Sequence, residues 1–169
     1  MQIHEMLKET LEINAMEELA ELIQAISKVK RYGLTKELKE NLEEEVADVI
    51  LMTSLIMNKY NLNSENIDKI FPFYFLGGLK MQAHEMLKET LEINAMEELA
   101  ELIQVISKVK RYGLIEELKE NLEEEVADVI LMTSLIMNKY NLSSENMDRI
   151  MIDKTNRLRK RWKESGGNL

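Results

Sequence analysis

The sequence predicts an all-α protein, a four-helix bundle built from two fused and nearly identical helical hairpins. The 169 residues include only six glycines and one proline, and they are rich in the helix formers Glu, Leu, Lys, Met and Ala. Residues 1–70 and 81–150 are identical at 63 of 70 positions, which marks a tandem duplication. Within each copy, apolar residues recur every three or four positions, the period of an amphipathic helix.

The first helix of each copy is expected to begin near His4, with Asn14 as a candidate break, and to end at Gly33, a residue type that often terminates helices. Its apolar face is predicted to be Met16, Leu19, Ile23, Ile26 and Val29.

The second helix is expected to follow the turn at Gly33-Leu34 and to end near Tyr60-Asn61, and Ser64 is predicted to cap a third helix. Its buried face is predicted to be Leu38, Leu42, Glu45/Val46, Val49, Met52 and Ile56. One hairpin cannot cover its own apolar face, so the two hairpins are expected to form one bundle.

These patterns divide the chain into a first repeat at 1–70, an apolar crossover at 71–80 and a second repeat at 81–169 with a basic C-terminal helix. The crossover carries all three phenylalanines and the only proline. It is far shorter than the roughly 20 residues of a membrane-spanning helix.

Composition excludes several classes of function. Without cysteine, the chain has no disulfide, zinc–thiolate centre or cysteine nucleophile. Its net charge of -9 predicts repulsion from nucleic acid and from anionic membranes. No apolar run has the length of a membrane span, and the first residues lack the pattern of a signal peptide. We therefore expect a cytoplasmic protein with no nucleic-acid or membrane partner.

Acidic residues with i, i+3 spacing occur on both helices of the first copy, as Glu18/Glu21 and Glu45/Asp48. Glu45 falls in phase with the buried stripe, whereas Glu43 and Glu44 are expected to point more to solvent. Equal sequence distances from the turn predict that all four acids meet at one level of the antiparallel hairpin, about 18 Å from it. The second copy repeats the set at Glu98, Glu101, Glu125 and Asp128.

Four converging carboxylates repel one another unless a cation neutralises them. All-oxygen ligands favour Mg²⁺, with Mn²⁺ as a substitute, over zinc or copper. Di-iron is disfavoured because the only histidines, His4 and His84, lie outside these motifs. The alternative interpretation is a Glu-rich helix whose acidic face is simply solvated.

Residues 149–163 contain seven basic residues and one acidic residue. On a helix, Lys154, Arg157 and Arg161 align beside an apolar stripe that includes Leu158 and Trp162, so docking would bring three cations to one groove. The alternatives are a solvated basic terminus and a weak nucleic-acid patch.

Taken together, these residues resemble the MazG-like all-α nucleoside triphosphate pyrophosphohydrolases, whose pattern is E-E-x-x-E followed by E-x-x-D. The pattern stands here as Glu17-Glu18-x-x-Glu21 with Glu45-x-x-Asp48, and the second copy repeats it from Glu97 to Asp128. The resemblance implies hydrolysis of a nucleoside triphosphate to the monophosphate and diphosphate, with Mg²⁺ as cofactor. It implies metal ligands at Glu18, Glu21, Glu45, Asp48, Glu98, Glu101, Glu125 and Asp128, and phosphate contacts from Lys154, Arg157 and Arg161. It also implies a catalytic role for Glu17 and for Glu97; for Glu17 the roles left open by the sequence are a metal ligand, a support for the ligands and a base that orients water.

The sequence departs from the family where the first copy ends, because Phe71-Pro72-Phe73-Tyr74-Phe75 replaces the basic tail. Either one site per chain is complete, or a second chain lends its tail in a homodimer. The rival enzymes on this scaffold are dUTP/dCTP diphosphatases and phosphoribosyl-ATP pyrophosphohydrolase. A rival from another class is a catalytically silent helical interaction module.

Overall fold

A computed structural model of the protein describes residues 7, 9–62 and 89–164, without the side chain of Trp162. These residues form five helices and no strand, which confirms the predicted all-α class. The predicted helix start near His4, the Ser64 cap and the crossover at 71–80 lie outside the described residues. The helices are α1 (Leu11–Tyr32), α2 (Lys36–Tyr60), α3 (Leu91–Tyr112), α4 (Glu116–Lys139) and α5 (Ser144–Glu164).

Each copy contributes a hairpin with a short turn. Helix α1 runs through Asn14 without a break and ends at Gly33, whose N–H donates to the carbonyl oxygen of Val29 at 2.9 Å. Gly33 has a φ of 79°, a backbone conformation that favours glycine. The side chain of Thr35 then caps α2 by accepting a hydrogen bond from the N–H of Leu38 at 3.2 Å.

The two hairpins share one hydrophobic core. Helix α1 packs against α2 and α3 against α4, and the main contact between the hairpins is α1 against α3. Among the largest fully buried side chains are Leu19 and Leu22 of α1 and their counterparts Leu99 and Leu102 of α3. The apolar stripe that a lone hairpin would expose is therefore covered by the other copy.

Helix α5 belongs to the second copy but packs against α2 of the first. Its start is held by Glu43, whose carboxylate accepts hydrogen bonds from the N–H of Ser143 at 2.9 Å and from Nδ2 of Asn146 at 3.2 Å. Glu43 is 4% exposed. The prediction that Glu43 points to solvent was therefore wrong, because a helix from the other copy covers it, whereas Glu44 is exposed as expected.

Each hairpin has a buried glutamate at the end opposite its turn, Glu12 in the first copy and Glu92 in the second. Glu12 accepts hydrogen bonds from Lys59 and from the hydroxyl of Tyr60, and Glu92 accepts one from the hydroxyl of Tyr140. These bonds tie the start of each first helix to the end of the second. No helix in the described part of the chain has both the length and the apolar character needed to cross a membrane.

Candidate metal centre

Helices α1 and α2 bring three of the predicted metal ligands together. One carboxylate oxygen from each of Glu18, Glu21 and Glu45 lies within 4.8 Å of the others, and we call this group the first acidic cluster. Glu18 and Glu21 are one turn apart on α1, and the antiparallel hairpin places Glu45 opposite them. Glu98, Glu101 and Glu125 form the same arrangement, the second acidic cluster.

The fourth predicted ligand of the first copy, Asp48, is bonded to a lysine. Its carboxylate is 2% exposed and accepts a hydrogen bond from Nζ of Lys154 on α5. The same ammonium lies 3.5 Å from a carboxylate oxygen of Glu44. Asp128, the equivalent residue of the second copy, is only partly buried and forms no ion pair among the described residues. Neither aspartate belongs to the three-carboxylate clusters.

Burial and mutual repulsion raise the proton affinity of the clustered carboxylates. Burial, and then the charge of Asp48, raise the pKa of Glu18 to about 7, although Lys154 acts in the opposite direction. Burial and the charge of Glu21 raise the pKa of Glu45, against the hydrogen bond that Nδ2 of Asn41 donates to Glu45 at 2.8 Å. Such shifts are expected where carboxylates converge without enough positive charge.

In the described residues, the carboxylates of the second acidic cluster have fewer polar partners than those of the first copy. Burial, and then the charges of Glu101 and Asp128, raise the pKa of Glu125 to about 7. Its Oε2 atom is buried without a hydrogen-bond partner. A buried carboxylate oxygen without a partner, on a residue of a three-carboxylate cluster, suits a hard divalent cation, so the residues present fit Mg²⁺ or Mn²⁺.

The predicted cations meet the first copy's acids in one pocket of about 220 Å³. Glu18 and Asp48 line it together with Lys154, Arg157 and Arg161, and we call this pocket the basic groove. Lys154 is partly buried in its ion pair, whereas both arginine side chains are exposed. The remaining lining residues are Asn14, Leu51, Met52 and Leu158.

The residues predicted to be catalytic, Glu17 and Glu97, are exposed and adjoin the clusters in sequence. Sequence reasoning missed the support that Asn41 gives to Glu45, although the i, i+4 spacing of an amide and a carboxylate was a usable signal. It also missed Asn14 as a groove residue, since Asn14 was interpreted only as a candidate helix break.

No protein-family model, no curated protein and no solved structure gives a significant match to this chain. The geometry of the acidic clusters and of the basic groove is therefore the basis for a functional assignment.

Proposed function

We propose that the protein is a MazG-like, Mg²⁺-dependent nucleoside triphosphate pyrophosphohydrolase, which converts a triphosphate to the monophosphate and diphosphate. The observation that carries this proposal is the basic groove, where Glu18 and Asp48 face Lys154, Arg157 and Arg161. A metal–triphosphate complex needs both kinds of partner, carboxylates for the metal and cations for the phosphates.

Carboxylate oxygens are the only metal-binding groups that the clusters offer. Glu18, Glu21 and Glu45 would hold Mg²⁺ in the first copy, with Asp48 beside them. Glu98, Glu101, Glu125 and Asp128 are the corresponding set in the second copy. When bound, the ion supplies electrostatic stabilisation of the charge that develops on the phosphate oxygens; Mn²⁺ is a suitable substitute because it also accepts oxygen ligands.

The cations of α5 bind the substrate and stabilise the leaving group. Arg157 and Arg161 are exposed in the groove, and guanidinium groups bind phosphate oxygens through paired hydrogen bonds. Lys154 adds a point charge next to Asp48. Together they hold the β- and γ-phosphates, so that the diphosphate leaves as a neutralised group.

Glu17 is the proposed general base. It is exposed and adjoins Glu18 of the first acidic cluster in sequence, so water has access to it. Its carboxylate accepts a proton from the water whose oxygen bonds to the α-phosphorus, while the bond from that phosphorus to the bridging oxygen of the diphosphate breaks. Glu97 occupies the equivalent sequence position in the second copy.

The proposal is tested by incubating the protein with Mg²⁺ and a panel of NTPs, dNTPs, dUTP, dCTP and phosphoribosyl-ATP. Chromatography should resolve a monophosphate and diphosphate from at least one substrate, which would also separate the rival enzymes of this scaffold. Glu45→Gln/Glu125→Gln should abolish the reaction. Glu40→Gln/Glu120→Gln changes two exposed acids of the same helices and should leave turnover intact. Absence of turnover on the whole panel would contradict the proposal.

A helical interaction module is the second candidate, favoured by exposed apolar residues near the hairpin turns. Tyr32 is 67% exposed, Tyr112 66% and Ile115 55%. Such a module needs no metal, so its melting temperature would not respond to Mg²⁺. Thermal denaturation with and without Mg²⁺ separates the two functions.

A further inference from the structure

Helix α5 serves the first copy although it belongs to the second. Glu43 of α2 accepts hydrogen bonds from Ser143 and Asn146 at the start of α5. Nζ of Lys39 donates to the carbonyl oxygen of Asn141 at 2.7 Å. These contacts from α2 place the basic residues of α5 over the first copy's acids.

In sequence, the first copy has no counterpart of the basic residues of α5. Eighty positions before Lys154, Arg157 and Arg161, the sequence has Tyr74, Gly77 and Met81. Residues 71–79 contain neither lysine nor arginine. Each chain therefore carries one set of three groove cations for two acidic clusters.

We propose that each chain has a single polyphosphate site, composed of carboxylates from the first copy and cations from the second, and that the second acidic cluster binds no polyphosphate. The inference rests on the phosphate-binding part of the proposed function. The ratio of one site per chain also holds in a homodimer, because a partner chain that lends its α5 to a second acidic cluster withdraws that helix from its own groove.

The surroundings of the second acidic cluster agree with this assignment. In the described residues, no lysine or arginine forms an ion pair with Glu98, Glu101 or Glu125. The neighbouring charges are carboxylates, including Glu97, Glu124 and Asp128. A polyphosphate brought to this cluster would have the metal as its partner but no basic side chain of the described residues, and the surrounding carboxylates would repel it.

The test is a calorimetric titration of the full chain with inorganic tripolyphosphate in the presence of Mg²⁺. This probe has no base, so base preference does not affect the result. We expect one tripolyphosphate per chain. Arg157→Gln/Arg161→Gln should raise the Kd about 100-fold, the effect of two lost charge-assisted hydrogen bonds.

The matched control is Arg159→Gln/Lys163→Gln, which removes the same charge from exposed positions of α5 outside the groove. Its Kd should stay within about threefold of the parent value, since exposed charges act weakly through solvent. Two tripolyphosphates per chain, no binding, or equal weakening by both double variants would each overturn the inference.

The titration separates this inference from the proposed reaction. One bound tripolyphosphate without hydrolysis of any nucleotide would overturn the proposed reaction and support the single site. Hydrolysis with two tripolyphosphates bound per chain would support the reaction and overturn the single site.

Discussion

At the scale of single residues, one buried ion pair lies away from the candidate metal centre, at Glu12. Its side chain is 5% exposed and pairs with Lys59 and Tyr60. Burial alone would raise its pKa, but the hydrogen bonds from Lys59 and Tyr60 outweigh burial and lower the pKa below 4.5. The carboxylate is therefore ionised and bonded at neutral pH.

We expect Glu12→Gln to lower the free energy of unfolding by about 1–3 kcal/mol, the usual cost of removing one partner from a buried charged hydrogen bond. Urea denaturation measures this change, and the exposed Glu9→Gln is the control, expected within about 0.5 kcal/mol of the parent. The pKa is lowered on folding, so this contribution is complete above pH 4.5 and is lost as the pH falls below it. Equal effects of the two variants would contradict the assignment.

The pKa values of Glu18 and Glu125 are raised on folding, whereas that of Glu12 is lowered. Burial raises both pKa values from 4.5 to about 7, so the folded state binds protons more tightly than the unfolded chain. In metal-free buffer, stability should therefore rise as the pH falls from about 8 towards 4.5. Glu18→Gln/Glu125→Gln should flatten this dependence. Melting temperatures recorded against pH in EDTA provide the measurement, and an unchanged slope in the double variant would show that other groups cause the dependence.

At the scale of helices, the two copies differ in the residue that precedes the second helix, so the effect of an N-cap can be compared between them. Thr35 accepts a hydrogen bond from the N–H of Leu38, whereas Ile115 at the same position of α4 makes no such bond. Thr35→Ile should lower the free energy of unfolding by about 1 kcal/mol, and Ile115→Thr should raise it by a similar amount. Chemical denaturation of both variants tests the reciprocity, and changes of the same sign would contradict it.

The glycines of the two turns allow the cost of a positive φ to be measured without a steric clash. Gly33 and Gly113 have φ values of 79° and 80°, and a Cβ built on either meets nothing within 4 Å. Gly33→Ala and Gly113→Ala should each lower the free energy of unfolding by about 1 kcal/mol, because alanine is strained at positive φ. The double variant should show the sum. A stabilising effect in denaturant titrations would show that the turn relaxes.

Much of the arrangement of the helices could be predicted from the spacing of apolar and acidic residues in the sequence. The 3.6-residue period located both hairpins, and equal distances from Gly33 anticipated the meeting of Glu18, Glu21 and Glu45. The burial of Glu43 did not follow, because it depends on which hairpin α5 covers. Copies that are identical at 63 of 70 positions offer α5 nearly the same two surfaces, so sequence periodicity cannot choose between them. The Lys154–Asp48 pair was missed for the same reason.

At the scale of the whole molecule, metal binding at the proposed sites should increase the free energy of unfolding. A ligand that binds only the folded state stabilises it by about 2.7 kcal/mol at a concentration 100-fold above its Kd. Added Mg²⁺ or Mn²⁺ should therefore raise the melting temperature of the parent protein, and much less so that of Glu45→Gln/Glu125→Gln. An equal rise in both would show that the cations act elsewhere, and scanning calorimetry provides the comparison.

The packing of α5 on the opposite hairpin has a genetic consequence. Recombination between the segments that encode the two near-identical repeats would delete one repeat of 80 residues and leave a single hairpin that still ends in the basic helix. That shorter chain would lose the neighbouring hairpin, against which the first helix packs and on whose second helix α5 docks. Both surfaces would then have to come from a second molecule. One deletion event would thus convert contacts within a chain into contacts between chains, and the stability of the shortened product would depend on its concentration.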